Sequence, residues 1–327
     1  MQRTLERLSP ILRLARVTSA FAVVGNSWFT VLWARASAQE PSHADLSARP
    51  LALLLSAAAV NALGLFVFGA SVNDILDLRR DRLLRPDRPL AAGEARLGTA
   101  VTLVAATLLL AVLGAAAFGT SGVVLTVILA GAILAFNGAA RFVPGFGIVA
   151  FGLIYAGQML VPDPRAQFLW PAWTVMTVMS GIHAAAHVLG RKTPPISRRA
   201  WVVTAIGWAA WSAAAFWLCT TREAPAPGAW PPWVSGYAWA GPAGVLAVLV
   251  LVCWRKARVL GPGPRLADKY LRYATLALSF CAVGWMGGAG HWREALILGV
   301  LALAGYLGMT VLRELYSLLE NPIGFRR

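Results

Sequence analysis

The sequence predicts an all-α protein built as a polytopic membrane bundle of nine or ten transmembrane helices. Three observations lead there. The 327-residue chain is 58% hydrophobic and only 13% charged, with mean hydropathy +0.65 and fourteen Trp, whereas a soluble domain carries roughly a quarter charged residues. Apolar runs long enough to cross a bilayer recur throughout the chain. The basic residues between those runs fall on alternate loops.

In order, the candidate spans lie near 17–34, 51–72, 97–117, 121–138, 143–161, 169–189, 200–219, 235–254, 271–288 and 294–312. The windows 121–138 and 271–288 are short for a crossing, hence nine or ten. The first span follows a basic start and precedes Ala36-Ser37-Ala38, a pattern that mimics a cleaved signal peptide. Its length, the polar Asn26 within it and the alternation of loops favour a retained helix. No polar linker separates soluble units, so residues 1–327 read as a single integral-membrane domain. The longest outer loops are 36–50 and 220–234, the second Pro-rich (EAPAPGAWPPW) and compatible with either an ordered Trp-anchored loop or a flexible one. Long charged loops after the second and sixth spans suggest an internal repeat, whose corresponding loops tend to converge on a site. Cys219, Cys253 and Cys281 fall in or beside spans without CxxC spacing and read as small buried apolar residues.

Counted loop by loop, twenty-four Lys and Arg fall on the side of the N-terminus and five on the other, the latter being Arg35, Arg49, Arg165, Arg222 and Arg293. The positive-inside rule then places the N-terminus and the loops 73–96 and 190–199 in the cytoplasm. The net charge of +15 thus reflects topology and attraction to anionic membrane lipid, not nucleic-acid binding. Twenty-six Arg against three Lys is the mark of a GC-rich genome, so the expected location is the inner (cytoplasmic) membrane of a bacterium.

Directly on the end of the 51–72 span stands NDILDLRRDRLLRPDRPL, residues 73–90. Asn73, Asp77 and Asp81 recur every four residues. If the helix continues to about Leu84, they stack on one face as a ladder of hard oxygen ligands. Pro86 disfavours helix at Arg85 and sets the Arg-Pro-Asp-Arg-Pro segment as an extended strap. Such a combination suits a pyrophosphate: carboxylates hold Mg²⁺, Mg²⁺ bridges phosphate oxygens, and Arg85 and Arg88 offer fork-shaped donors to the remaining charge. A solvated loop whose arginines only fix topology is the plainer alternative. The regular spacing favours the site.

The run Asn73-Asp74-x-x-Asp77-x-x-x-Asp81-x-x-x-Arg85-Pro86-x-Arg88-Pro89-Leu90 resembles the first signature of the UbiA superfamily of intramembrane prenyltransferases, and the span count matches that family's helical bundle over most of the chain. The resemblance implies transfer of an isoprenoid chain from a polyprenyl pyrophosphate to an acceptor, often aromatic and here small or lipid-like. It also implies that Asn73, Asp77 and Asp81 coordinate Mg²⁺ on the pyrophosphate. Asp74 matches too, but lies about 100° around the helix from Asn73. Phe136-Asn137-x-x-x-Arg141, followed by Gly145, resembles the family's aromatic-plus-basic element, whose cation faces the pyrophosphate; Phe136 stands where a Tyr is more usual. Arg141 is equally the single charge that would fix the topology of a short loop.

The resemblance fails at the family's second acidic motif. The corresponding region reads GIHAAAHVLGRKTPPISRR, with no Asp or Glu between Asp163 and Glu223. Two alternatives stay open: Arg191 and Lys192 neutralise the pyrophosphate in place of a second metal, or ionisation chemistry is lost. His183 and His187, spaced i, i+4, share a helix face and could hold a transition metal, although no third ligand stands nearby and packing or interface roles are the plainer reading. As intramembrane polar groups they are also candidate acceptor-side residues. Two further functions stay open: a non-catalytic lipid-pyrophosphate binding or transport component, and a membrane terpene cyclase.

Overall fold

The computed structural model describes residues 21–320 apart from 87, 192 and 223–227. The N-terminal arginines and Lys192 therefore lie outside the described residues. Among the described residues there is no strand, and twelve α-helices follow one another: α1 (Phe21–Ala36), α2 (His43–Ser47), α3 (Leu51–Leu76), α4 (Leu78–Leu84), α5 (Leu97–Ala116), α6 (Gly119–Gly138), α7 (Pro144–Met159), α8 (Trp170–Leu189), α9 (Arg198–Thr221), α10 (Ala240–Leu260), α11 (Pro264–Gly288) and α12 (Trp292–Glu320). Over the described residues each apolar window of the sequence falls mainly on one helix, α10 starting five residues into the 235–254 window. Five of these, α3, α5, α6, α8 and α9, are long and apolar enough to cross a membrane by length and composition, and α7 is a shorter apolar helix of 16 residues. Their outer faces carry large exposed apolar side chains such as Leu109, Leu113, Ile128 and Ile206, a surface that belongs in lipid. The chain is an integral membrane protein.

Lipid is as apolar as leucine, so helices in it associate through close packing and internal hydrogen bonds. Small residues supply the approach here. A Cβ on Gly64 of α3 would meet Thr107 O of α5 at 2.7 Å, and one on Gly114 of α5 would meet Ala57 O of α3 at the same distance. Between these contacts, Asn61 Nδ2 donates to Ala111 O at 2.9 Å and to Thr126 Oγ1 at 3.0 Å, stitching α3, α5 and α6 together. Gln158 Nε2 donates to Ala62 O at 3.1 Å and Thr30 Oγ1 to Met159 O at 2.7 Å, so α7 is tied to α3 and α1 in the same way. The buried part of α1 (Phe29, Leu32, Trp33) packs with Met179, Leu278, Trp285 and Met286 in the main core. All three cysteines are buried and free, as their setting in the sequence implies.

One end of the bundle is closed by a cap in which four of the five minority-side arginines are spent on the protein itself. Arg35 donates to Leu46 O and Arg49 O at 2.5 and 2.7 Å, Arg49 to Ala117 O, and Arg222 to Ala166 O and Pro164 O. Arg165 pairs with Asp45 at 3.0 Å on the surface. Beneath them Glu40, 3% exposed, accepts from Trp33 Nε1 at 2.9 Å and from the Gln167 and Phe168 amides at 2.9 and 3.3 Å, joining the loop after α1 to the loop before α8. Burial pushes the Glu40 carboxyl up, against the downward pull of the Gln167 amide and Trp33. Burial likewise pushes Asp163 up, although the nearby Ser42 hydroxyl and the Arg165 amide oppose it.

Both acids are therefore easier to keep neutral when folded. Their contribution to stability is complete below their ordinary values and declines as pH rises through the raised ones. His291, pushed down by burial despite Glu294, acts in the opposite sense: its contribution is present above its ordinary value and lost as pH falls. Glu40→Gln/Asp163→Asn removes only the first effect. Measured by denaturant unfolding in detergent, the wild type should lose stability relative to this double variant as pH rises above the ordinary carboxylate range of about 4. Parallel curves for the two proteins would exclude the linkage.

Candidate functional site

At the other end of the bundle, α3 runs to Leu76, and its 26 residues give about 39 Å of helix against about 30 Å of hydrocarbon. The last turn thus emerges at the interface with Asn73 and Asp74 on it. The expected continuation is nearly complete. Asp77 interrupts the helix, yet its amide still donates to Asn73 O at 2.9 Å, Asp81 N to Asp77 O at 2.8 Å and Arg85 N to Asp81 O at 2.8 Å. The helix then ends where Pro86 requires.

The segment after it is not the expected extended strap but a turn, with Arg88 N donating to Arg85 O at 3.1 Å and Ala92 N to Arg88 O at 2.8 Å. The turn carries Arg88 back over the helix. Its Nη1 lies 2.6 Å from Asp81 Oδ2 and 3.1 Å from Asp74 Oδ1, and both carboxylates are largely buried. Arg85, by contrast, is exposed and stays outside this cluster.

Arg141 comes from a separate element, the 3₁₀ turn Ala140–Phe142 between α6 and α7. Its guanidinium grips Asp77 in a fork, Nη2 to Oδ1 at 2.5 Å and Nη1 to Oδ2 at 2.9 Å, and Nη1 also reaches Asn73 Oδ1 at 2.5 Å. It lies over the Phe142 ring at 4.7 Å, and its Nε is buried with no hydrogen-bond partner among the described residues. Asn73 Nδ2 in turn donates to Asp74 Oδ1 at 3.3 Å, so a single network runs from Arg141 through Asn73 and Asp74 to Arg88 and Asp81.

The expected single ladder is therefore two pairs, Asn73 with Asp77 and Asp74 with Asp81. Helix geometry explains the split. Eight residues at about 100° each leave Asp81 about 80° from Asn73, whereas seven residues return it to within about 20° of Asp74. Asp74 is consequently as much a member of the site as Asp81.

Helix α8 supplies the sequence-predicted histidines, but they do not assemble a metal site. His187 is buried with its Nε2 2.8 Å from Pro194 O. His183 faces aromatic rings instead, 4.4 Å from Phe151 and 5.9 Å from Phe136 between centroids. Tyr155, one turn beyond Phe151, extends that wall at 5.1 Å. The i, i+4 repeat of Phe151 and Tyr155 was the available signal for this wall, and sequence reasoning took from it only Phe136. Arg191 is exposed, and Lys192 lies outside the described residues.

Among the described residues no three His, Cys, Asp or Glu side chains are grouped to hold a metal ion. The donor chemistry of the acid cluster nonetheless suits a hard divalent cation. Asn73, Asp77, Asp74 and Asp81 present carboxamide and carboxylate oxygens, and they already attract two cations in the form of guanidinium groups.

No family model matches the chain, and no curated protein matches it. Two solved structures are similar in fold. A structure of digeranylgeranylglyceryl phosphate synthase superposes with a TM-score of 0.56 at 15% identity, over 87% of this chain and 99% of that one. A UbiA homolog from Aeropyrum pernix K1, in an apo structure, gives 0.46 at 19% identity over 88% and 96%, too loose an overlay to carry weight. The bundle expected from the sequence is thus a known membrane fold, at a distance where sequence comparison no longer reaches.

The fork between Arg141 and Asp77 joins two elements that are 64 residues apart in sequence. Removing either partner leaves a largely buried charge, at a cost of roughly 3–5 kcal/mol. Arg141→Ala and Asp77→Ala should each destabilise the protein by about that amount, and the double variant by no more than the worse single one. Additive losses in unfolding titrations would show that the pair is not coupled.

Proposed function

We propose that this chain is a UbiA-superfamily membrane prenyltransferase that moves a polyprenyl group from its pyrophosphate to a small or lipid-like, often aromatic, acceptor. The observation that carries this reading is the Arg88–Asp81–Asp74–Asn73–Asp77–Arg141 network at the mouth of a bundle with this fold. The fold neighbour's name, digeranylgeranylglyceryl phosphate synthase, agrees with an isoprenoid substrate. On this reading the ten long helices form nine or ten spans of one domain in a bacterial inner membrane. The N-terminus and the site face the cytoplasm, and the membrane lipids solvate the outer faces.

Bound Mg²⁺ would neutralise pyrophosphate charge and so make it a better leaving group. Asn73, Asp74, Asp77 and Asp81 are the residues to hold it. Arg88 and Arg141 offer planar donor forks that match phosphate oxygens. Arg85, exposed beside them, and Arg191 with Lys192 from the next charged loop are further sources of positive charge. Departure of the leaving group leaves an allylic cation on the lipid. Phe136, Phe151 and Tyr155 present ring faces of the kind that stabilise such a charge. On this reading His183, which packs against the same rings, takes the proton that the acceptor loses, and His187 braces the end of its helix through Pro194.

A second reading is favoured by one specific observation. No acid stands between Asp163 and Glu223, and His187 is committed to a backbone carbonyl. A protein lacking the second acidic motif in this way fits a non-catalytic lipid-pyrophosphate binder or transport component. A membrane terpene cyclase would share the ionisation but need no acceptor.

Labelled polyprenyl pyrophosphate separates the three. Release of pyrophosphate with the label joined to an acceptor marks the transferase, release without an acceptor in the product marks the cyclase, and retention of intact lipid marks the binder. Asp77→Ala and Asp81→Ala should each lower turnover by at least ~100-fold. Asp74→Ala should cost about ten-fold, because Asp81 keeps the shorter contact to Arg88. Wild-type turnover in all three variants would remove the acid cluster from the chemistry.

A further inference from the structure

We propose that Arg88 and Arg141 latch the acid cluster against divalent metal, and that an anionic ligand must draw them away before metal enters. Metal and pyrophosphate then bind as one coupled event. The inference rests on the pyrophosphate reading above and adds an order of events to it.

Among the described residues, three carboxylates, Asp74, Asp77 and Asp81, face two guanidinium groups. Both oxygens of Asp77 and the Asn73 carbonyl are held by Arg141 at 2.5–2.9 Å, while Asp81 Oδ2 and Asp74 Oδ1 are held by Arg88. A magnesium ion needs those same oxygens at about 2.1 Å in near-octahedral order. It cannot share them with a guanidinium without setting two cations side by side. In the absence of ligand, metal entry would have to expel Arg141, whose side chain is only 15% exposed, into surroundings with no new anion, and an unpaired buried charge is costly.

A pyrophosphate changes this balance. Its oxygens match the guanidinium fork as well as a carboxylate does, so each arginine can transfer from acid to ligand and stay paired. The freed carboxylates then accept metal, which the ligand helps to hold. Two features suit the arginines to moving. Neither sits on the helix that carries the acids: Arg141 is on the 3₁₀ turn before α7 and Arg88 on the turn after α4. Arg141 also keeps one buried donor, Nε, unused. By linkage, whatever the ligand gains from the metal the metal gains from the ligand.

The test titrates Mn²⁺ into the full chain in detergent with no ligand present, reading bound ion by electron paramagnetic resonance. Arg141→Ala and Arg88→Ala should each bind Mn²⁺ at least ~10-fold more tightly than the wild type. Arg141→Lys, which keeps the charge and loses the fork, should fall between, and it decides the matter if Arg141→Ala does not fold. A wild type that binds Mn²⁺ as tightly as these variants overturns the latch. A second arm adds a non-hydrolysable polyprenyl thiopyrophosphate to the wild type and should tighten Mn²⁺ binding at least ~10-fold. Ligand binding with no such gain also overturns the latch. Failure of the lipid to bind any of the proteins sinks the prenyl reading alone, since the ligand-free comparison judges the latch without it.

Discussion

The site end of the structure depends on one electrostatic requirement: three carboxylates gathered at the emergence of a membrane helix must be matched by positive charge. Asp74, Asp77 and Asp81 stand within two turns of one another at the rim of an apolar bundle, where the dielectric is lower than in water and mutual repulsion is correspondingly strong. Two arginines answer it from opposite directions. Arg88 folds back from the turn after the same helix, and Arg141 reaches in from the connection between α6 and α7. The turn at residues 85–92, the 3₁₀ turn and the break at Asp77 are the local geometry that this matching imposes.

The two ends of the bundle solve their charge problems differently. At the capped end Arg35, Arg49 and Arg222 are spent on backbone carbonyls, and buried Glu40 is answered by amides and an indole. Those hydrogen bonds are fixed, with nothing to exchange. At the site end Arg88 and Arg141 are each shared by two side chains, and a planar fork that serves two acceptors can be traded for another anion of similar shape. The same residue type thus acts as mortar on one side and as an exchangeable counter-ion on the other.

The fold was largely legible in the sequence. Among the described residues, hydropathy alone located the ten long helices, because in a membrane protein the apolar run is the helix, and no packing detail can override it. The motif at 73–90 pointed to the acids and Arg88 that the structure gathers, and the Phe136-Asn137-x-x-x-Arg141 element pointed to Arg141. What the sequence could not convey was partnership. Asn73, Asp77 and Asp81 look like one ladder at a spacing of four, yet drift around the helix regroups Asp81 with Asp74. Pro86 ends a helix but does not say whether the chain beyond it extends or turns. His183 and His187 look like a ligand pair until the Pro194 carbonyl takes one of them.

Asn73 is the joint between the two halves of the network, accepting from Arg141 through its carbonyl and donating to Asp74 through its amide nitrogen. No carboxylate can fill both offices, because it has nothing to donate. Asparagine is also among the chemically fragile side chains, and loss of its amide nitrogen gives aspartate in the same shape. At this position, that change would set a fourth anion against Asp74 and cut the one neutral link in the chain. The site therefore contains a point of chemical ageing, where a mass change of one unit, invisible to the fold, would divide one network into two.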